Sequence, residues 1–139
     1  MDGGSGVNNS MAYRQGMVAE YAFMSKIMSK GFDILTPVSP DAKYDTILYK
    51  NGRYIKIQVK STTLIANSKY SAGIAYGTKT KDQYSSDDVD FFAIYLIPEE
   101  VWYIIPHYAT NNRKRLKLSA DGSCKLGSFR ENWEFNEAI

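Results

Sequence analysis

The stretch Tyr44–Lys60, read Y-D-T-I-L-Y-K-N-G-R-Y-I-K-I-Q-V-K, constrains this chain more than any other. Asn-Gly between two alternating segments predicts a β-hairpin, because a type I′ turn needs positive φ at both central residues. A two-residue turn also fixes the register. Lys50 then faces Arg53, Tyr49 faces Tyr54, and further down the ladder Asp45 faces Gln58. Lys60, two residues beyond Gln58, points to the same face. Ile55, Ile57 and Val59 form an apolar row on the other. The hairpin therefore gathers Asp45, Gln58 and Lys60 into one cluster.

Elements on either side follow from periodicity. Met1–Ser10 is rich in Gly, Asn and Ser and is expected to be a flexible tail; residues 11–139 are expected to form one domain. Met11–Lys30 reads as a helix, with Asn9 or Ser10 as its cap and Gly31 ending it. Tyr13, Met17, Met24, Ile27 and Met28 mark its expected buried stripe. Glu20 falls within that stripe. A carboxylate there either reaches water or a lysine, or answers its desolvation with a metal or a hydrogen-bond network. Phe32–Val38 is expected as a short strand, followed by hairpin strands at about Tyr44–Lys50 and Arg53–Ser61. One helix and three successive antiparallel strands result.

Thr62–Val89 is polar, without clear period, and reads as a functional loop, part of it a short helix. Lys79 and Lys81 among its tyrosines suit a nucleic-acid backbone and equally suit a solvated loop. Phe91–Pro98 and Val101–Ile105 read as a second hairpin turning at Glu99-Glu100. Asp87, Asp88 and Asp90 precede it, as a loop and strand cap or as an acidic metal cluster. Arg113, Lys114, Arg115 and Lys117 make the densest positive run and are candidate phosphate contacts, with a solvated loop as the alternative. Phe129–Ala138 is expected to close the chain as a helix capped by Ser128, with Glu131 completing a capping box and Trp133 as anchor.

Composition narrows the chemistry. The chain has 139 residues, 44% of them hydrophobic, enough for one core. A net charge of +2 says little about partners, so local clustering must carry any nucleic-acid argument. No apolar run spans a bilayer, and no membrane partner is expected. The single cysteine, Cys124, suits a reducing, cytoplasmic compartment and has no partner for a disulfide or zinc site. The single histidine, His107, leaves almost nothing for a His-based metal site or a Ser-His-Asp triad. No glycine-rich phosphate loop follows a strand. There remain Asp45, Gln58, Lys60 and Glu20. Such oxygen donors suit Mg²⁺ or Mn²⁺, and a lysine beside them suits phosphodiester hydrolysis.

At these residues the chain resembles the PD-(D/E)XK nuclease superfamily: a helical Glu20, then Asp45 on one hairpin strand, then Gln58-Val59-Lys60 on its partner. G-x-x-x-E at Gly16–Glu20, Y-D-x-I at Tyr44–Ile47 and I-Q-V-K at Ile57–Lys60 are similar to its Gln-variant group I intron homing endonucleases. D-V-D-F-F-A-I-Y and W-Y-I-I-P resemble that group's second hairpin. The resemblance implies an α/β (α+β) fold with a restriction-endonuclease-like αβββαβ core, its mixed central β-sheet flanked by helices. It implies a Mg²⁺- or Mn²⁺-dependent DNA endonuclease. Asp45 would be the central metal ligand, with Glu20, the Gln58 side chain and the Val59 carbonyl beside it, and Lys60 would assist the nucleophile. Pro40-Asp41 supplies a literal P-D pair, but Asp41 lies too early for the hairpin register. Gln58 stands where most relatives carry a carboxylate, which removes one charge from the site. Linear duplex and four-way junction both remain open as substrates. A non-catalytic nucleic-acid-binding module and a Tyr-rich protein-interaction domain are the competing classes. One site per chain implies a dimer or higher homo-oligomer for cutting both strands.

Overall fold

The computed structural model describes residues 3–76 and 82–136. A long helix α1 (Gly3–Ser29) is followed by β1 (Asp33–Leu35), β2 (Thr46–Lys50), β3 (Arg53–Thr62), β4 (Ile65–Ala66), β5 (Lys69–Gly73), β6 (Ala75–Tyr76), β7 (Asp82–Gln83), β8 (Phe91–Leu96), β9 (Val101–Pro106) and β10 (Arg115–Leu118). The central sheet has the order β1-β2-β3-β8-β9. Its β3–β8 pair is parallel and its other pairs are antiparallel, so the sheet is mixed, as expected.

The Asn51-Gly52 turn sets the register the sequence predicts. Lys50 pairs with Arg53, Tyr49 with Tyr54, and Thr46 with Ile57. Asn51 has φ 54° and Gly52 φ 81°, the left-handed pair such a turn requires. The Tyr49 and Tyr54 rings meet across the strands at 4.7 Å between centroids. Strand alternation then builds a core on each face of the sheet. Leu48, Ile55, Ile57, Val59, Phe91, Ala93, Trp102 and Ile104 pack against Ala19, Phe23 and Ile27 of α1 and against Phe135. Phe92, Ile94, Leu96, Tyr103 and Ile105 pack on the opposite face against Tyr70, Ala72, Leu116 and Leu118 of a small β10-β5-β4 sheet.

Several expectations are corrected. The helix begins at Gly3, so Asn9 and Ser10 lie within it rather than at its cap. Gly, Ser and Asn are weak helix formers, but a helix already formed extends at one bond per residue fixed. Its buried stripe is Ala19, Phe23 and Ile27; Tyr13 and Met28 are exposed, and Met17 and Met24 are only half-buried. Small Ala19 lets the helix approach the sheet, and Phe23 fills the gap. Residues 62–76 form strands rather than a loop with a short helix. Asn67 and Ser68, both at positive φ, turn β4 into β5. Among the described residues no second α-helix lies between β3 and β8; the small sheet covers that face.

The closing helix is also replaced. Among the described residues only a 3₁₀ turn, Gly127–Phe129, forms there, and Glu131 and Phe135 take φ of 50° and 55°, which a right-handed α-helix cannot hold. The Glu131 carboxylate accepts the Trp102 amide at 2.8 Å and the Trp133 indole N–H at 2.9 Å, in place of a capping box. Phe135, 1% exposed, is a deeper anchor than half-buried Trp133.

Candidate active site

The site lies where β2 ends and β3 continues. Lys56 exchanges backbone bonds with the β8 side, through the Asp90 carboxylate and the Asp90 amide. Backbone direction alternates along a strand, so Ile57 and Val59 face the β2 side. Ile57 there accepts the Asp45 amide at 2.8 Å. β2 begins only at Thr46, so beyond Ile57 no β2 residue pairs with β3. The Asp45 side chain occupies that opening. Its Oδ2 accepts the Val59 amide at 2.7 Å. A strand residue's carbonyl points to the same edge as its N–H, so the Val59 carbonyl also faces this opening.

Glu20 comes to Asp45 from α1. With Thr36, Thr46, Val59, Phe23 and Met24, the two carboxylates line a small cavity of about 20 Å³. That is room for about one water-sized guest. Burial pushes the Glu20 pKa upward, and the Asp45 charge pushes it further. Burial also raises Asp45, against the Val59 hydrogen bond and the Lys60 charge, which both pull it down. Two carboxylates whose proton affinity burial raises, one of them raised further by the other's charge, are a ready site for a cation, which would relieve these costs. The chemistry of this donor set fits a hard divalent ion. Among the described residues no group of three or more His, Cys, Asp or Glu side chains forms. Further ligands would have to come from neutral oxygens such as the Val59 carbonyl and Gln58.

Lys60 approaches Asp45 from the other face of β3, beside the small sheet. Its Nζ donates to the Tyr84 hydroxyl at 3.4 Å and lies 5.3 Å from the Tyr84 ring centre. Tyr84 is buried, T-stacked on Phe92 and tilted against Tyr76, and its carbonyl is held by His107 Nε2 at 2.7 Å. Burial first, then the nearby Asp45 charge, lifts its pKa to about 12, so the phenol keeps its proton at neutral pH. Sequence reasoning placed Tyr84 only in a polar loop. Nothing local marks it, because the strand pairing that brings it to Lys60 spans the whole β3–β8 connection.

The structure thus brings Glu20, Asp45, Val59 and Lys60 around one strand edge. Gln58 is half-buried next to them on β3, outside the carboxylate cavity. Lys79 and Lys81 lie outside the described residues. Arg113, Lys114, Arg115 and Lys117 are exposed along and just before β10, on the small sheet that covers the Lys60 face. Arg115 is partly committed within the fold, donating to Ser71 Oγ at 2.8 Å and to the Ser71 carbonyl at 3.1 Å. Asp88 and Asp90 accept the Ser85 and Lys56 amides, so they serve as the loop and strand cap. Asp41 is exposed in its turn.

Comparisons with known proteins bear on the family and the fold. A family model described as PD-(D/E)XK endonuclease matches residues 12–134. Protein 5.3 of Escherichia phage T7 is 26% identical over 87 residues, covering 62% of this chain and 73% of that protein. The structure of a bacterial homing endonuclease, I-Ssp6803I, superposes with a TM-score of 0.75 at 21% identity, over 85% of this chain and 87% of that one. At that identity the superposition speaks for the fold. The family match spans the helix, both hairpins and the segment carrying Trp133, and on that basis this chain belongs to the PD-(D/E)XK endonuclease family.

Proposed function

We propose that this protein is a divalent-metal-dependent DNA endonuclease that hydrolyses phosphodiester bonds. The observation that carries the reading is the Glu20–Asp45 cavity at the open edge of β3, with Lys60 beside it. Asp45 and Glu20 hold Mg²⁺ or Mn²⁺, with the Val59 carbonyl and the Gln58 side-chain oxygen as neutral donors. A bound divalent ion supplies an acidified water and stabilises charge developing on the phosphate. The Val59 amide fixes the Asp45 carboxylate, so one oxygen is oriented before any ligand arrives. Lys60, braced by Tyr84, orients the attacking water and offsets negative charge in the transition state. Arg113, Lys114 and Lys117 hold the DNA backbone on the adjoining sheet. A homo-oligomer places a second site on the opposite strand. Linear duplex and four-way junction are the two candidate substrates, and cleavage of one run against the other separates them.

The neutral Gln58 favours one second reading, a nucleic-acid-binding module that keeps the fold without cleaving. A supercoiled-plasmid nicking assay with Mg²⁺ and Mn²⁺ separates the two, run beside Asp45→Ala and Lys60→Ala variants checked for fold by circular dichroism. Cleavage by the wild type, lost in both variants, is expected. Equal cleavage by wild type and folded variants would remove this assignment. Diffraction from Mn²⁺-soaked crystals adds a readout independent of DNA sequence: an anomalous peak between Glu20 and Asp45.

A further inference from the structure

The outer face of α1 is unusual for a helix that packs on a sheet. Its inner face, Ala19, Phe23 and Ile27, is buried. A surface helix normally turns charged and polar residues to water on the opposite side. Here that side carries Met11, Val18, Tyr21 and Met28, which are 63%, 57%, 62% and 59% exposed. Arg14 and Ser25, also exposed, complete the row. Single exposed apolar residues are ordinary, but apolar residues aligned along one helix face form a patch.

The spacing of the row says what fits on it. Positions 11, 14, 18, 21, 25 and 28 alternate steps of three and four, the a and d positions of a heptad, which is the seam one helix offers to another. The row runs about 26 Å along the helix. It also reads alike from either end. Turned end over end about a point between Val18 and Tyr21, Met11 falls on Met28, Arg14 on Ser25 and Val18 on Tyr21. A two-fold dimer asks for this property, because residue i must meet j wherever j meets i. Apolar side chains then meet apolar ones, and the Arg14 guanidinium meets the Ser25 hydroxyl, which can accept its N–H. A parallel pair would instead set Arg14 against its own copy. The positions that flank the seam, Gln15, Met17, Ala22 and Met24, bear no charge, so none of them repels a like helix.

We infer that the outer face of α1 is a self-association surface, on which a second copy of this chain docks its own α1 antiparallel, about a two-fold axis between Val18 and Tyr21. Pairing removes the apolar row of both copies from water at once. The inference gives a form to the homo-oligomer of the proposed function, but it rests on the exposed row and needs neither metal nor cleavage.

Sedimentation of the full chain without DNA or metal tests it. The wild type should be a dimer at about 100 μM, with a dissociation constant on the order of micromolar. Val18→Glu and Tyr21→Lys, each at a position exposed in the monomer, should keep the circular-dichroism spectrum and weaken the dimer about tenfold or more, since each buries a charge in the seam. Combining the two should restore it, because each new carboxylate then faces a new ammonium across the axis. Cys124 is buried, so Met11→Cys/Met28→Cys should cross-link between copies under mild oxidant and Met11→Cys alone should not. A wild type that stays monomeric leaves the face to some other protein and overturns the inference, as does a dimer indifferent to both single substitutions. Cross-linking by Met11→Cys alone overturns the antiparallel arrangement. A monomer that still nicks plasmid DNA would end this inference and leave the hydrolytic reading in place; a dimer without nuclease activity would do the reverse.

Discussion

The two ends of the β2–β3 hairpin share strands and a helix but carry opposite chemistry. At one end Glu20 and Asp45 crowd a small, half-buried cavity with too much negative charge. At the other, Lys30, Lys50 and Arg53 surround a wide, open one. Burial accounts for the contrast. Half-buried carboxylates pay desolvation, and the fold retains them beside one fixed amide and one lysine. Lys30 and Lys50, both exposed, keep their water and sit against the Trp133 and Phe32 rings. The closed acidic cavity suits a compact cation, whereas the open one is lined, among the described residues, by Lys30, Lys50 and Arg53 with Glu134.

Breaking the carboxylate end should give the largest effect. Asp45→Ala or Lys60→Ala should lower cleavage about 10²–10⁴-fold, measured as single-turnover nicking, while the fold persists. Loss of that size from Lys50→Gln instead would reverse the assignment of the two ends. Next comes the residue beneath both. Phe23 is fully buried, packs on Trp102 and Trp133, and lines the Glu20 cavity. Phe23→Ala should cost about 3–5 kcal/mol of stability in urea unfolding. A cost under 1 kcal/mol would mean that the helix does not dock as described.

Tyr84→Phe sharpens the role of Lys60. It keeps the ring under the ammonium and removes the hydroxyl that accepts its hydrogen bond. A kcat loss of about tenfold with little change in KM is expected. Unchanged kcat would reduce Tyr84 to packing.

The smallest effect is one of sign. Glu20 has a raised pKa in the fold, so the folded state binds its proton more tightly than the unfolded state. Its share of stability therefore grows as pH falls through that raised value and is complete below the ordinary 4.5; it is lost as pH rises. Glu20→Gln mimics the protonated group. It should raise Tm by roughly 2–4 °C at pH 8, fade to nothing near pH 4, and still impair cleavage. A variant less stable than wild type at pH 8 would show that Glu20 is held by an attractive partner.

How much of this was legible in the sequence depended on how local each cause is. Asn51-Gly52 is a local instruction, and it set the register as far as Thr46 opposite Ile57, which leaves Asp45 at the end of the ladder with its carboxylate on the Val59 amide. The helix itself was clear from periodicity, but its buried face was misassigned to the methionines; Ala19 and Phe23 face the sheet because of what the sheet presents. Asn67-Ser68 turns the chain much as Asn-Gly does, yet Ser is an uncommon left-handed residue, and the small sheet went unread. Glu131 and Phe135 adopt left-handed backbone because Glu131 bonds β9 and Phe135 fills the core. No propensity rule encodes such tertiary causes. Tyr84 beneath Lys60 and the lysines against Trp133 belong to the same class, since their partners are distant in sequence.

The mixed pairing of β3 has a consequence for the order in which the molecule assembles. Its antiparallel partner β2 adjoins it across a two-residue turn, and hairpins of that kind close in about 1–10 μs. Its parallel partner β8 follows only after a connection of roughly thirty residues, whose ends meet at a larger entropic cost. The Asp45–Val59 bond belongs to the first event. The bracing of Lys60 by Tyr84, near the end of that connection, belongs to the second. The Asp45 carboxylate is therefore held early and locally, while the lysine beside it is set by the slowest pairing in the sheet, and the chain reaches its working arrangement only when that last ladder closes.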